Sequence, residues 1–324
     1  MKSRRGIWHN GEIKPESEAK FSIYTEAAMR GYVFEMTRSF NLVTFKLEEH
    51  LERLFRSAKY IGLKVPYTLD QLVVACTELI RVNEFDEGVE HRLIINFYGG
   101  ALSIYGDVEG IEKGPQVMIA DIPMNWTTKG MDKLYETGIN AIIPNQKVIP
   151  SYILDNRVKH HNRLHFARAN MEISDLPGIH NWPLLTDDHN YIAEFPGANV
   201  FIVKNDVILT PFSLNILEGI SRKYVMGQLS GLIFMECVEK NLLPYDILNA
   251  TEAFCTATPF CILPVTKING QNIGDGKPGK VTMRLLNRWS ANVGVDIVQQ
   301  IKDWNKDTVI DANFVSPYVT KKED

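Results

Sequence analysis

Asp155-Asn156-Arg157-Val158-Lys159-His160-His161-Asn162-Arg163-Leu164 is the stretch on which the reading of this 324-residue chain turns. It places Lys159 between the end of an extended segment and the start of a helix predicted over Asn162–Ile173. A lone lysine reads as a solvated surface charge. What gives this one weight is the order of the segments around it. Upstream lie an extended β-branched and aromatic run, Gly31–Phe40, and His50-Leu51-Glu52-Arg53-Leu54 on an amphipathic helix. Downstream, Glu194 ends a strand before Phe195-Pro196-Gly197. Leu217-Glu218-Gly219-Ile220-Ser221-Arg222 then opens a helix running to about Leu229, and Thr256-Ala257-Thr258-Pro259 makes a tight turn between strands.

The chemistry readable from these residues alone is strongest at Gly219-Ile220-Ser221. Free backbone N–H groups and the helix dipole at a helix start both favour an anion, and Ser221 adds a hydroxyl. A bare Gly-x-Ser before a helix reads equally as an N-cap. Glu194 alone is a charge ending a strand before a Pro-Gly turn.

Taken together, from about Ile7 to about Trp289, the segments resemble the class IV, fold type IV, pyridoxal-phosphate aminotransferases, the family of the branched-chain and D-amino acid aminotransferases. Lys159 matches the lysine of the family's Lys-x-x-Asn-Tyr-Leu pattern, which bonds to the cofactor and shuttles a proton. Leu217–Arg222 matches Leu-x-Gly-Ile-Thr-Arg, and Thr256-Ala257-Thr258 matches the Thr-Gly-Thr-Ala turn. The resemblance implies an α+β fold of two domains, the smaller α/β and the larger β-rich with helices. It implies pyridoxal 5'-phosphate as cofactor, held by Arg53, Lys159, Arg163, Glu194, Asn199, Leu217, Gly219, Ile220, Ser221 and Thr258. In that scheme Glu194 pairs with the pyridine nitrogen, and Arg53, Ser221 and Thr258 bind the phosphate. Arg163 replaces the tyrosine that contacts the ring oxygen.

The substrate side departs most from the family. Its strand, a Tyr-Gly pair followed by Val-Phe-Glu-Gly, reads here Arg30-Gly31-Tyr32-Val33-Phe34-Glu35-Met36. The resemblance implies substrate contacts from Arg30, Phe34, Met36, Arg38, Arg92 and Ala257. Pro259 has no N–H, so one backbone donor of the turn is missing. Arg30, Arg38 or Arg163 is a bidentate replacement for it, or Arg30 and Arg163 pair with acidic neighbours such as Glu35. The replacement reading makes L-valine and L-leucine poor amino donors. The implied activity is amino transfer between an amino acid or amine and a 2-oxo acid. The alternatives are a lyase of the aminodeoxychorismate lyase type, a D-amino acid or amine transaminase, and a cofactor-binding homologue without turnover. The resemblance also implies a homodimer or larger even assembly.

Composition fits an ordinary globular chain, 45% hydrophobic and 23% charged. A net charge of -4 argues against a nucleic-acid partner. No apolar run is long enough to span a membrane, and the basic start lacks an apolar segment behind it; the expected location is the cytoplasm. Four scattered cysteines do not make a disulfide framework; Cys255 and Cys261 are a redox pair or two buried thiols. His160, His161 and His165 lack metal-ligand spacing, and no metal is expected.

The expected division is a small α+β domain over 1–122, a linker over 123–130, a large cofactor-binding domain over 131–310 and a tail over 311–324. Strands are predicted around the Asn10-Gly11 turn, at Arg92–Tyr98, Gln116–Ile122, Ile139–Ile143, Tyr191–Glu194, Asn199–Val203 and Val207–Leu209, with hairpins at Asn205-Asp206 and Asn269-Gly270. Helices are predicted from Leu47 to Ile61, from Leu69 to Val82 and over Lys280–Asn292.

Overall fold

The computed structural model describes residues 5–105, 108–178 and 180–306; the expected tail over 311–324 lies outside them. By packing the chain divides into two units. The first is Met1–Trp126 with Val158–Asn162; the second is Thr127–Arg157 with the residues from Arg163 onward.

In the first unit the strands are β1 (Gly6–His9), β2 (Glu12–Pro15), β3 (Val33–Phe40), β4 (Val43–Thr44), β5 (His91–Tyr98) and β6 (Gln116–Pro123). They form an antiparallel sheet in the order β2-β1-β6-β5-β3-β4. Its helices are α1 (Glu26–Arg30), α2 (Leu47–Tyr60), α3 (Leu69–Val82) and the single turn α4 (Met124–Thr127). Asn10 and Gly11 both take positive φ, as the two-residue turn between β1 and β2 requires. Helix α3 starts where its sequence says it should: Thr68 Oγ1 accepts from Gln71 N–H, and the Gln71 side chain accepts from Thr68 N–H.

The three- and four-residue spacing of Leu47, Leu51, Leu54 and Ala58 puts them on one face of α2. There they pack with Leu72, Cys76 and Leu79 of α3 against Val33, Leu93, Ile95, Phe97, Val117 and Ile119 of the sheet. Full burial of each large side chain is worth about 1.5–3 kcal/mol. Alternation along β3 then fixes the site: Val33 and Glu35 face the helices, so Phe34, Met36 and Arg38 face the other way.

The second unit opens with α5 (Leu134–Thr137), β7 (Ile139–Ile142), α6 (Leu164–Ile173) and β8 (Asn181–Pro183). Then come β9 (Glu194–Phe195), β10 (Ala198–Lys204), β11 (Val207–Thr210), α7 (Ile220–Tyr224), α8 (Ser230–Leu232), β12 (Cys237–Glu239) and α9 (Pro244–Leu248). It ends with β13 (Glu252–Ala257), β14 (Cys261–Ile268), β15 (Gln271–Asn272), α10 (Lys280–Val293) and α11 (Ile297–Asn305). The sheet runs β12-β11-β10-β13-β14-β7-β8, with β9 on β10 and β15 on β14. Phe201 and Phe254 stack across β10 and β13 at 4.9 Å. Leu285, Leu286 and Trp289 of α10 are buried, and Tyr224 packs edge-on to Trp289 at 4.9 Å.

Several expectations change. Tyr191–Glu194 is a strand only from Glu194, with Ile192 in an isolated bridge to Thr186. Within the expected linker, Met124–Thr127 is one helical turn, and Trp126 is 54% exposed with the Arg5 guanidinium 4.6 Å from its ring. Helices α1, α5, α9 and α11 lie outside every helix expected from the sequence. Cys255 faces Leu263 and Cys261 faces Ala257 across β13 and β14, so the two cysteines are diagonal neighbours. That spacing is about 7–8 Å, beyond the usual disulfide span. Burial also pushes the Cys255 thiol pKa up, which leaves an inert thiol.

Candidate functional site

Val158–Asn162, which a linear division assigns to the larger domain, packs with the first unit for a stated reason. β4 pairs with only the last two residues of β3, which leaves the other half of that edge. His160 bridges to Val33, Phe34 N–H donates to Lys159 O at 3.1 Å, and His161 N–H donates to Tyr32 O at 2.9 Å. Lys159 N–H donates to Ser57 Oγ on α2 at 3.1 Å. The lysine backbone is thus tied to a strand and to a helix. Its Nζ lies 4.7 Å from the Phe34 ring, whose other neighbour is the His161 ring at 3.9 Å.

Behind Phe34, Glu35 points into α2. Arg53 donates to it from Nε at 2.5 Å and from Nη2 at 2.9 Å, and His50 Nδ1 lies 2.8 Å from Oε2. Burial alone would raise the Glu35 pKa; Arg53 and His50 outweigh it and hold the carboxyl well below the usual carboxylate range. Burial lowers the His50 pKa, against the pull of Glu35. Arg53, expected at a phosphate, therefore has two donors committed to Glu35. His50, Arg53 and Ser57 stand at i, i+3 and i+7 on α2, one helix face. Sequence reasoning singled out only Arg53; the spacing of the other two was the available signal.

On the opposite sheet face Arg38 stands directly across from Arg92, and Met36 across from Ile94. Arg38 is 1% exposed, donates from Nε to Ser39 O at 3.1 Å and stacks on Phe40 at 3.9 Å. Arg92 Nη2 lies 2.7 Å from Met36 Sδ. Four of the expected substrate residues, Phe34, Met36, Arg38 and Arg92, are thus brought to one face. Arg30 is not among them. It is the last residue of α1, its side chain 70% exposed, with Glu26 as a 3.5 Å partner. The expected pairing of Arg30 or Arg163 with Glu35 is replaced by that of Arg53.

In the second unit Glu194, Asn199 and Thr256 stand in register across β9, β10 and β13. All three are buried. Asn199 Nδ2 donates to Glu194 Oε2 at 3.0 Å and to Leu217 O at 2.9 Å, and Leu217 N–H donates to Glu194 Oε2 at 3.1 Å. Thr256 Oγ1 is buried without a hydrogen-bond partner among the described residues, and sequence reasoning passed it over. Gly219 then caps α7 without a side-chain bond. The helical run Ile220–Leu232 widens by one turn over Val225–Leu229, a feature common near functional sites. Arg222 anchors it, donating to Glu239 Oε1 at 2.5 Å and Pro211 O at 2.8 Å. Ser221 is 6% exposed in the first turn.

The Arg163 guanidinium donates to Pro196 O in the turn after Glu194 and lies 4.7 Å from the Phe166 ring. Ala257 pairs with Cys261, and Thr258-Pro259-Phe260 close the turn between them. Cys261 takes φ +63°, a strain of about 1–3 kcal/mol for a non-glycine residue. Tyr135 Oη pins the turn by donating to Phe260 O at 2.9 Å.

In the second unit, a buried carboxylate held by two donors and a helix start without a side-chain cap are groups that a pyridine-ring cofactor bearing a phosphate requires; in the first unit, Lys159 is a lysine with a fixed backbone. The orphaned Thr256 hydroxyl also fits such a group. These features define the class: a two-domain α+β enzyme of fold type IV. The chain belongs to the class IV aminotransferases, whose family pattern it matches over residues 32–268. It is an enzyme of transamination, and pyridoxal phosphate is the cofactor of its class. It is 32% identical over 285 residues to a putative branched-chain-amino-acid aminotransferase of Methanocaldococcus jannaschii, covering 87% of this chain and 94% of that one. Among solved structures it resembles the branched-chain amino acid aminotransferase of Escherichia coli, at TM-score 0.77 and 26% identity, over 94% of this chain and 97% of the other. The branched-chain aminotransferase of Thermoproteus uzoniensis with norvaline matches at TM-score 0.77 and 28% identity, over 93% and 98% of the two chains.

Proposed function

We propose that the chain transfers the amino group of a branched-chain L-amino acid to a 2-oxo acid, acting as a cytoplasmic homodimer. The observation that carries the assignment of roles is the rung Glu194–Asn199–Thr256 beside the start of α7. When bound, pyridoxal phosphate supplies the carbonyl that accepts the amino group and a ring that draws electrons from the substrate Cα. Lys159 is the residue that bonds to it and, when released, moves the proton at Cα. Glu194 holds the proton on the pyridine nitrogen. The Ile220 and Ser221 N–H groups and the Ser221 hydroxyl hold the phosphate, with Thr258 from the β13–β14 turn. Arg38 and Arg92, directly opposed across β3 and β5, offer guanidinium donors to the substrate carboxylate. Phe34 and Met36 supply the apolar surface for the side chain.

The expectation that L-leucine and L-valine are poor donors rests on Pro259, on Met36 and on three arginines, Arg30, Arg38 and Arg163. Arg30 lies exposed on α1 and Arg163 is occupied by Pro196 O, so two of the three have other positions, and the named relatives favour branched-chain donors. A different amino acid or an amine remains the second reading, favoured by Pro259 and by Met36 beside Arg92. The homodimer is supported by exposed apolar residues of the first unit, Ile23, Met29 and Ile104, each more than half exposed. The cytoplasmic location is supported by four free cysteines. The test is kcat/KM for L-leucine, L-glutamate, D-alanine and a chiral arylalkyl amine, with 2-oxoglutarate or pyruvate as acceptor. L-leucine is expected to be the best donor; a faster amine or D-amino acid overturns the substrate reading.

A further inference from the structure

We infer that Asn199 is a positioning residue that locks the orientation of Glu194 to the Leu217–Gly219 loop, and that Gly219 is glycine to make room for it. The inference rests on the pyridoxal-phosphate reading of Glu194 and goes beyond it. Position 219 gives no conformational reason for glycine. Its φ of -59° and ψ of 136° suit any L-residue. The reason is spatial: a Cβ there would overlap Asn199 Oδ1 and would lie 3.3 Å from Asn199 Cγ. The Asn199 side chain cannot rotate away without cost. Both neighbours of its nitrogen, Glu194 Oε2 and Leu217 O, accept hydrogen bonds. The amide must therefore present its N–H groups to them and its oxygen to Gly219.

The arrangement closes a ring of contacts. Asn199 donates to Glu194 and to Leu217 O, and Leu217 N–H donates to the same Glu194 oxygen. Two donors on one oxygen fix the rotation of the carboxylate. One donor is a side chain on β10 and the other is the backbone two residues before Gly219. The angle at which Glu194 presents its charge is therefore set by the loop that leads into α7. Displacing that loop displaces the carboxylate, and removing Asn199 leaves the Leu217 N–H bond to hold it.

The test uses the apoprotein and two ligands, pyridoxal phosphate and its 1-deaza analogue, which lacks the ring nitrogen. Dissociation constants for both are measured in wild type, Asn199→Ala, Gly219→Ala, the double variant Asn199→Ala/Gly219→Ala, and Glu194→Gln. Wild type is expected to prefer pyridoxal phosphate, and Glu194→Gln to lose most of that preference. Asn199→Ala is expected to lower the preference by about ten-fold or more, the loss of one charge-assisted bond; a purely structural role would weaken both ligands equally. Gly219→Ala is expected to weaken pyridoxal phosphate by at least ten-fold in wild type and by less than three-fold in the Asn199→Ala background. An unchanged preference in Asn199→Ala, or equal effects of Gly219→Ala in both backgrounds, overturns the inference. A wild type without preference, matched by Glu194→Gln, instead removes the reading of Glu194 on which it rests, and the inference with it.

Discussion

Two helix starts in the second unit are built alike and end differently. Each follows a glycine in an extended conformation, Gly279 before α10 and Gly219 before α7. Each glycine leaves space that a polar side chain from a strand occupies, Glu252 at α10 and Asn199 at α7. At α10 the strand residue is a carboxylate, and it turns to the helix. Glu252 accepts from Val281 N–H, Thr282 N–H and Thr282 Oγ1, each at 2.9 Å. The helix start is satisfied from within. At α7 the strand residue is an amide whose donors go to Glu194 and Leu217 O, so it does not cap the first turn, whose N–H groups hold the phosphate in the proposed reading. In these two cases the glycine is the shared device, and in the proposed reading the charge of the residue that fills the gap separates a structural start from a binding site.

The comparison breaks if the two starts respond alike to mutation. The largest effect is expected at Glu194, whose carboxylate the α7 loop holds. Glu194→Gln should lower kcat/KM by about 2–4 kcal/mol, the range for one lost electrostatic partner, with the melting temperature of the apoprotein within about 2 °C of wild type by the scaling of melting shifts with free energy. Glu252→Gln should do the reverse. It weakens three bonds to a charged group and the dipole interaction, about 2–3 kcal/mol of stability. Calorimetry should show a drop of about 4–10 °C, with turnover per folded molecule unchanged. Ser221→Ala should weaken pyridoxal phosphate binding by about 1 kcal/mol, near five-fold, without moving the apoprotein melting temperature. A lower melting temperature and an unchanged dissociation constant would make α7 a structural start like α10. Smallest of all, Arg30→Ala should change kcat/KM by less than about two-fold, since it breaks only an exposed pair. A larger loss would return Arg30 to the substrate side.

What could be read in the sequence follows from where the physics is local. Thr68 and Gln71 start α3, Asn10-Gly11 turns a hairpin, and the spacing of Leu47, Leu51 and Leu54 makes α2 amphipathic; each is decided within a few residues. The motif residues Lys159, Glu194 and Gly219 stand out in the sequence because their order matches a family. Long-range facts were not. That Arg53 is held by Glu35, or that Lys159 is tied to Ser57, depends on α2 lying against β3, a packing between segments far apart in sequence. Asn199 was singled out for the cofactor, but its bond to Glu194 needed the β9–β10 register. Arg30 was misleading for the opposite reason: Glu26-Ala27-Ala28-Met29-Arg30 forms a short helix, so the strand pattern begins only at Val33.

The account stands on Lys159, and one measurement addresses it directly. Protein loaded with pyridoxal phosphate is reduced with borohydride, digested and mapped by mass spectrometry. The pyridoxyl group should be found on the peptide containing Lys159, and Lys159→Ala should take up none and lose nearly all amino transfer. A pyridoxyl group on any other lysine, in active protein, would contradict the account.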